Sequence, residues 1–283
     1  MEFARDTLYV SDLDGTLLGA QPRLPEEAVP LLNEMLDAGL PFTVATARSW
    51  TSAAPIVRQL HLKHPVVAYN GAFLVDPVTG RDIDRCLFDA QQMQRVARVF
   101  LDAGLSPMVY AQIGGRQKVS WLRSLESEGI REYARDRAGD PRLRPVETME
   151  ALFQGEVFYL SSFARRETLL PLEPKARALD FAHTSFTSDA YKPEWYWLEI
   201  SRFDATKATG VDKLRKLTGI PRIVCFGDNL NDIEMLQNAG ESYAVSNARA
   251  EVIASAKHTC PPYWENGVLQ VLKTFLKETT NPF

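Results

Sequence analysis

Leu8-Tyr9-Val10-Ser11-Asp12-Leu13-Asp14-Gly15-Thr16 is the stretch that decides the fold. A short apolar strand runs straight into two carboxylates, a glycine and a threonine. In open α/β sheets, ligands and reacting groups collect at the carboxyl ends of strands. Residues i and i+2 of an extended chain point to one side. Asp12 and Asp14 can therefore face a common site, and Gly15 permits the sharp turn. An Asp-rich turn capping the next helix would look the same, and on these residues alone both readings stand.

Outward from this stretch, strand and helix patterns alternate. Pro25 suits a first helical turn, Glu26 and Glu27 complement its dipole, and Ala28, Leu32, Met35 and Leu36 follow at helical spacing. Pro30 inside this stretch predicts a kink. Gly39 ends the helix, and 41–45 reads as a second strand. Ser49 caps a helix reaching about Leu60, and 66–69 is a third strand. Such alternation implies a parallel sheet covered on both faces.

After Asn70-Gly71-Ala72 the pattern changes to a hairpin, a helix capped by Asp89 with Gln92 completing a capping box, and strands about Gly114-Gly115. A strand over 157–163 and a Pro-interrupted helix over 165–179 follow. Alternation of the first kind resumes at 195–200. The expected organisation is an α/β, Rossmann-like parallel-sheet core built from 1–77 and 195–283, with an α+β domain inserted at 78–194.

The second acidic cluster, Gly227-Asp228-Asn229-Leu230-Asn231-Asp232, also follows an apolar strand, 222–226. Asp232 could equally be the start of the helix carrying Met235 and Leu236. If Asp12, Asp14 and Asp228 converge, each close pair repels by roughly 4 kcal/mol at 4 Å and an effective dielectric of 20. A hard divalent cation with oxygen ligands resolves this, and Mg²⁺ is the usual choice beside a phosphate. Thr46 ends the second strand, where a hydroxyl and the N–H groups opening a helix make an anion site. It could also be a plain N-cap. Lys207 precedes a further helix, and alone it would read as a surface charge.

The 283 residues carry 32 Lys and Arg against 36 Asp and Glu, a net charge of -4. No basic excess supports binding to nucleic acid or an anionic membrane. Every apolar run is broken short of the ~18 residues a spanning helix needs. The first residues meet acidic side chains before any apolar segment, so no secretory signal is expected. Cys86, Cys225 and Cys260 lack Cys-x-x-Cys spacing, which argues against a disulfide framework or zinc ribbon and for a cytoplasmic protein.

Taken in order, Asp-x-Asp-Gly-Thr, Thr46, Lys207 and Gly-Asp-x-x-Asn-Asp resemble the haloacid dehalogenase superfamily of phosphohydrolases across the whole chain. The insert's place after Asn70-Gly71-Ala72, with Ser246-Asn247-Ala248 and Glu265-Asn266-Gly267-Val268, is similar to the Cof-like branch with a type-2 cap. The resemblance implies Asp12 as nucleophile forming an aspartyl-phosphate, and Asp14 as acid to the leaving alkoxide and base to the water. It implies Mg²⁺ held by Asp12, the Asp14 carbonyl and Asp228. Thr46, Lys207, Asn231 and the N–H groups of Leu13 and Ala47 would hold the phosphoryl oxygens. Ala47 and Ala208 stand where the family often has glycine, which narrows the approach while keeping the N–H.

The expected substrate is a small phosphorylated metabolite, a sugar phosphate by family analogy, with no nucleic acid, membrane or obligate protein partner. A phosphotransferase or mutase is the second enzymatic reading. A haloacid dehalogenase fits Asp14 and Asp228 poorly, and a non-catalytic phospholigand-binding protein has no need of a nucleophile. His61 and His64 read as a surface loop, and Arg48 as a substrate contact or a helix pair. The Arg-rich run from Arg131 to Arg144 reads as a solvated face. Tyr191, Trp195, Tyr196 and Trp197 read as packing where the insert returns to the core.

Overall fold

The computed structural model describes residues 5–19, 21, 23–189 and 192–275, so Tyr191 lies outside the described residues. The chain divides into two compact units, 1–85 with 205–283, and 86–204. In the first unit the strands are β1 (Thr7–Ser11), β2 (Phe42–Val44), β3 (Val66–Ala68), β4 (Phe73–Val75) and β5 (Asp82–Arg85). Separated from these by the second unit's strands β6–β11, the series ends with β12 (Arg222–Gly227), β13 (Glu241–Val245) and β14 (His258–Cys260). Among the described residues five of these form a sheet in the order β14-β13-β12-β1-β2, parallel throughout, and β3, β4 and β5 form a second sheet.

Apolar runs such as Leu8-Tyr9-Val10 are buried on both faces, as a helix-covered parallel sheet requires. Leu8 and Val10 join one core with Val211, Leu214 and Met235. Tyr9 joins the other with Leu32, Met35 and Leu269. The helix Trp50–Val57 starts where Ser49 accepts the Ser52 N–H, and Lys207–Thr218 stops at Gly219, φ 69°. The expected kink at Pro30 is absent. The helix spans Ala28–Asp37, which puts Pro30 in its first turn, where a missing N–H costs nothing. β3 also departs from expectation. It pairs antiparallel with β4, which pairs with β5, and among the described residues it meets the large sheet through one parallel bridge, Ala45 to Val67.

The second unit contains β6 (Met108–Ile113), β7 (Arg116–Leu122), β8 (Leu143–Val146), β9 (Glu156–Arg165), β10 (Ala182–Ser188) and β11 (Trp195–Arg202). Among the described residues they form a six-stranded mixed sheet ordered β10-β11-β9-β6-β7-β8. The capping box of Asp89 and Gln92 opens the helix Ala90–Leu101. Both junctions differ from the expected 78–194. β5 is held to β4 and so belongs to the first unit, whereas β11 lies between β9 and β10 and belongs to the second. Trp195 and Trp197 pack on Phe163 at 5.0 and 4.4 Å within that sheet. Arg144 is no solvated charge, since it donates to Ser120, the Ala151 carbonyl and Gln154.

Candidate active site

β1 and β12 are adjacent and parallel, so Asp12 and Asp228 leave the sheet side by side. Asp12 is buried, and its Oδ1 accepts from Lys207 Nζ at 2.7 Å. The same ammonium donates to Asp232 Oδ1 at 2.7 Å. Asp232 Oδ2 accepts the backbone N–H groups of Asp228 and Asn229, which shapes the second acidic loop from within. Asp228 Oδ1 accepts from Thr16 Oγ1 at 2.7 Å. Gly15, at φ 80°, is forced: a Cβ there would lie 2.4 Å from Asp228 Oδ2. Its carbonyl accepts from Asn247, whose Oδ1 accepts the Tyr263 N–H, tying the C-terminal motif to the Asp loop.

One carboxylate oxygen from each of Asp12, Asp228 and Asp232 lies within 4.8 Å of the others. Burial pushes the Asp12 and Asp228 carboxyls above their ordinary range, against the pull of Lys207. Burial opposes the Lys207 charge as well, but Asp12 and Asp232 outweigh it and hold the ammonium protonated. One ammonium cannot neutralise two buried carboxylates and a third that is partly buried, and the excess is a demand for positive charge. Hard oxygen donors suit Mg²⁺, so the residues present fit the metal. Asp14 is absent from this cluster as a side chain. It is half-exposed and accepts from Arg48 Nε at 2.7 Å and Nη2 at 2.5 Å.

Thr46 is fully buried, and its Oγ1 accepts the Arg48 N–H at 3.1 Å. Among the described residues, neither Leu13 nor Ala47 donates its backbone N–H to a protein acceptor. Ala47 is exposed and Ala208 buried. Asn231 is exposed on the turn after Asp228 and donates to Asn70 Oδ1 at 2.8 Å. His61 pairs with Asp37 on the surface, away from any metal cluster found among the described residues. The sequence leaves Asp232 open, and it points to Arg48, Asn70 and Asn247 without their partners, Asp14, Asn231 and the Gly15 carbonyl. For Asp232 the signal was there, in an acid four residues after Asp228 that a charged, buried lysine would need.

The family model for haloacid dehalogenase-like hydrolases matches residues 9–272. The chain belongs to that family. This haloacid dehalogenase-like hydrolase is similar to 5-amino-6-(5-phospho-D-ribitylamino)uracil phosphatase YitU of Bacillus subtilis, with 26% identity over 282 residues, 95% of this chain and 97% of the relative. It is also similar to the HMP-PP phosphatase of Serratia proteamaculans, with 25% identity over 244 residues, 85% of this chain and 84% of the relative. A solved structure from Eubacterium rectale superposes with a TM-score of 0.73 at 32% identity, covering 95% of this chain and 98% of that one. No helix among the described residues of the hydrolase is long and apolar enough to cross a membrane.

Proposed function

We propose that this hydrolase is a Mg²⁺-dependent phosphatase of small phosphorylated metabolites, sugar or polyol phosphates foremost, acting through an aspartyl-phosphate. The observation that carries the reading is the buried Asp12, ion-paired to Lys207 beside Asp228 and Asp232 at the ends of two adjacent parallel strands. The named substrate of the Bacillus subtilis relative, a phosphorylated ribityl compound, supports the substrate class. A cytoplasmic location accords with Cys86, Cys225 and Cys260, buried thiols outside any disulfide among the described residues.

Asp12 attacks phosphorus through a carboxylate oxygen, and the bond from phosphorus to the ester oxygen breaks. Asp14, taking up a proton as the ester displaces Arg48, gives that proton to the departing oxygen. Asp14 then takes a proton from water as the water oxygen attacks phosphorus, and the Asp12–phosphorus bond breaks to release phosphate. Lys207, Thr46, Asn231 and the N–H groups of Leu13 and Ala47 hold the phosphoryl oxygens. Asp12, Asp228 and the Asp14 carbonyl would hold Mg²⁺, which supplies positive charge to the phosphoryl group when bound.

A screen of phosphate release over a metabolite panel, with Mg²⁺ and with EDTA, tests the reading. Release with Mg²⁺ that EDTA abolishes is expected. A panel with no release, or release indifferent to EDTA, contradicts it.

A further inference from the structure

The turn Tyr69-Asn70-Gly71 follows β3 with three successive positive φ values, 48°, 53° and 97°. Glycine adopts such angles freely, but a side-chain-bearing residue there costs on the order of 1–3 kcal/mol, asparagine being among the more tolerant. Backbone strain of this kind persists where the surroundings over-determine it, and here they are the loops that bear the proposed phosphate ligands. The Tyr69 N–H donates to the Arg48 carbonyl at 3.0 Å, and the Asn70 N–H to the Thr46 carbonyl at 3.0 Å. A Cβ on Gly71 would lie 2.0 Å from the carbonyl oxygen of Thr206, the residue before Lys207. Asn231 donates to Asn70 Oδ1 at 2.8 Å. One three-residue turn thus touches the loops of Thr46, Lys207 and Asn231.

We propose that Asn70 is a positioning residue for the phosphoryl group, acting through Asn231. Its Oδ1 takes one N–H of the Asn231 amide and fixes that exposed side chain so that the second N–H is presented to a phosphoryl oxygen. Glycine at position 70 would meet the backbone requirement with less strain but offers no acceptor. An amide kept at a left-handed position is therefore explained by what it holds. The inference rests on the phosphatase reading, in which Asn231 is a phosphate ligand.

The test measures affinity for inorganic phosphate by calorimetry in Mg²⁺, melting temperature, and kcat and KM for p-nitrophenyl phosphate. The proteins are the wild type, Asn70→Gly, Asn70→Ala, Asn231→Ala and the double variant Asn70→Gly/Asn231→Ala. Asn70→Gly should lose phosphate affinity by roughly 10-fold, as for one hydrogen bond to a charged group, while its melting temperature holds or rises. The loss should appear in KM rather than kcat, as for uniform binding. Asn70→Ala should lose the same affinity with a lower melting temperature, since alanine keeps the strain and removes the amide. The double variant should bind no more weakly than Asn231→Ala alone. Asn70→Gly with wild-type affinity and KM, or losses that multiply in the double variant, would overturn the proposal. If that happens while the wild type turns over, the phosphatase reading survives. A wild type that neither binds phosphate nor hydrolyses the ester overturns both.

Discussion

The ammonium of Lys207, 1% exposed, lies 2.7 Å from oxygens of both Asp12 and Asp232. Removing it strands two buried carboxylates, and breaking one side of a buried pair typically costs about 3–5 kcal/mol. Lys207→Met should therefore lower the urea midpoint in EDTA, with part of the loss recovered on adding Mg²⁺. An unchanged midpoint would mean that the carboxylates are already neutral. Asp14 is bound by Arg48 outside the acidic cluster, and its assigned work is proton transfer. Asp14→Asn should slow turnover of alkyl phosphates by roughly 10²–10⁴-fold. With p-nitrophenyl phosphate, whose leaving group needs little protonation, formation of the intermediate should suffer less. Equal loss of that step for both esters, read in pre-steady-state bursts, would remove Asp14 as the acid.

At the scale of elements, the second unit closes on a small clasp: Arg202 donates to both oxygens of Asp204, and Cys86 Sγ donates to Asp204 Oδ1 at 2.9 Å. Hydrogen bonding from Arg202 holds the Asp204 carboxyl at about 2, below its ordinary 3.8. A depressed carboxyl contributes stability above its unfolded value and loses it as pH falls through the folded one. The melting temperature of the wild type should thus exceed that of Asp204→Asn at neutral pH, and the gap should close between about pH 4 and pH 2. A gap constant across that window would mean that the clasp does not stabilise the fold. Helix caps in both units were legible because local chemistry sets them: Ser49 and Asp89 open helices and Gly219 closes one, as their types require. The pairing of β3 and of β11 was not, because an apolar strand carries no local mark of which neighbour it will join. Asp12, Thr46, Lys207 and Asp228 could be placed from strand ends and resemblance. The Arg48–Asp14 and Asn70–Asn231 pairs could not, since each joins segments far apart in sequence with no charge or spacing pattern to announce it.

For the molecule as a whole, every residue assigned to phosphate and metal belongs to the first unit, and these recognise a group common to all phosphate esters. The second unit, 86–204, has its own cores about Phe100 and Leu160 and about Trp121 and Phe163. We propose that this unit discriminates among esters; its 16 basic and 17 acidic residues leave little net field, which favours hydrogen bonding and stacking. Substitutions in this unit should reorder kcat/KM among metabolite esters while sparing p-nitrophenyl phosphate. An unchanged ranking after excising it, with the first unit still folded, would place specificity elsewhere. The central claim is covalent phosphoryl transfer to Asp12, and acid-quenched turnover of a labelled phosphate ester with Mg²⁺, followed by peptide mapping, tests it most directly. The account predicts transient label on the peptide containing Asp12 and none in Asp12→Asn, which keeps the fold but does not turn over. Phosphate release without label on that peptide, or turnover surviving Asp12→Asn, would contradict it.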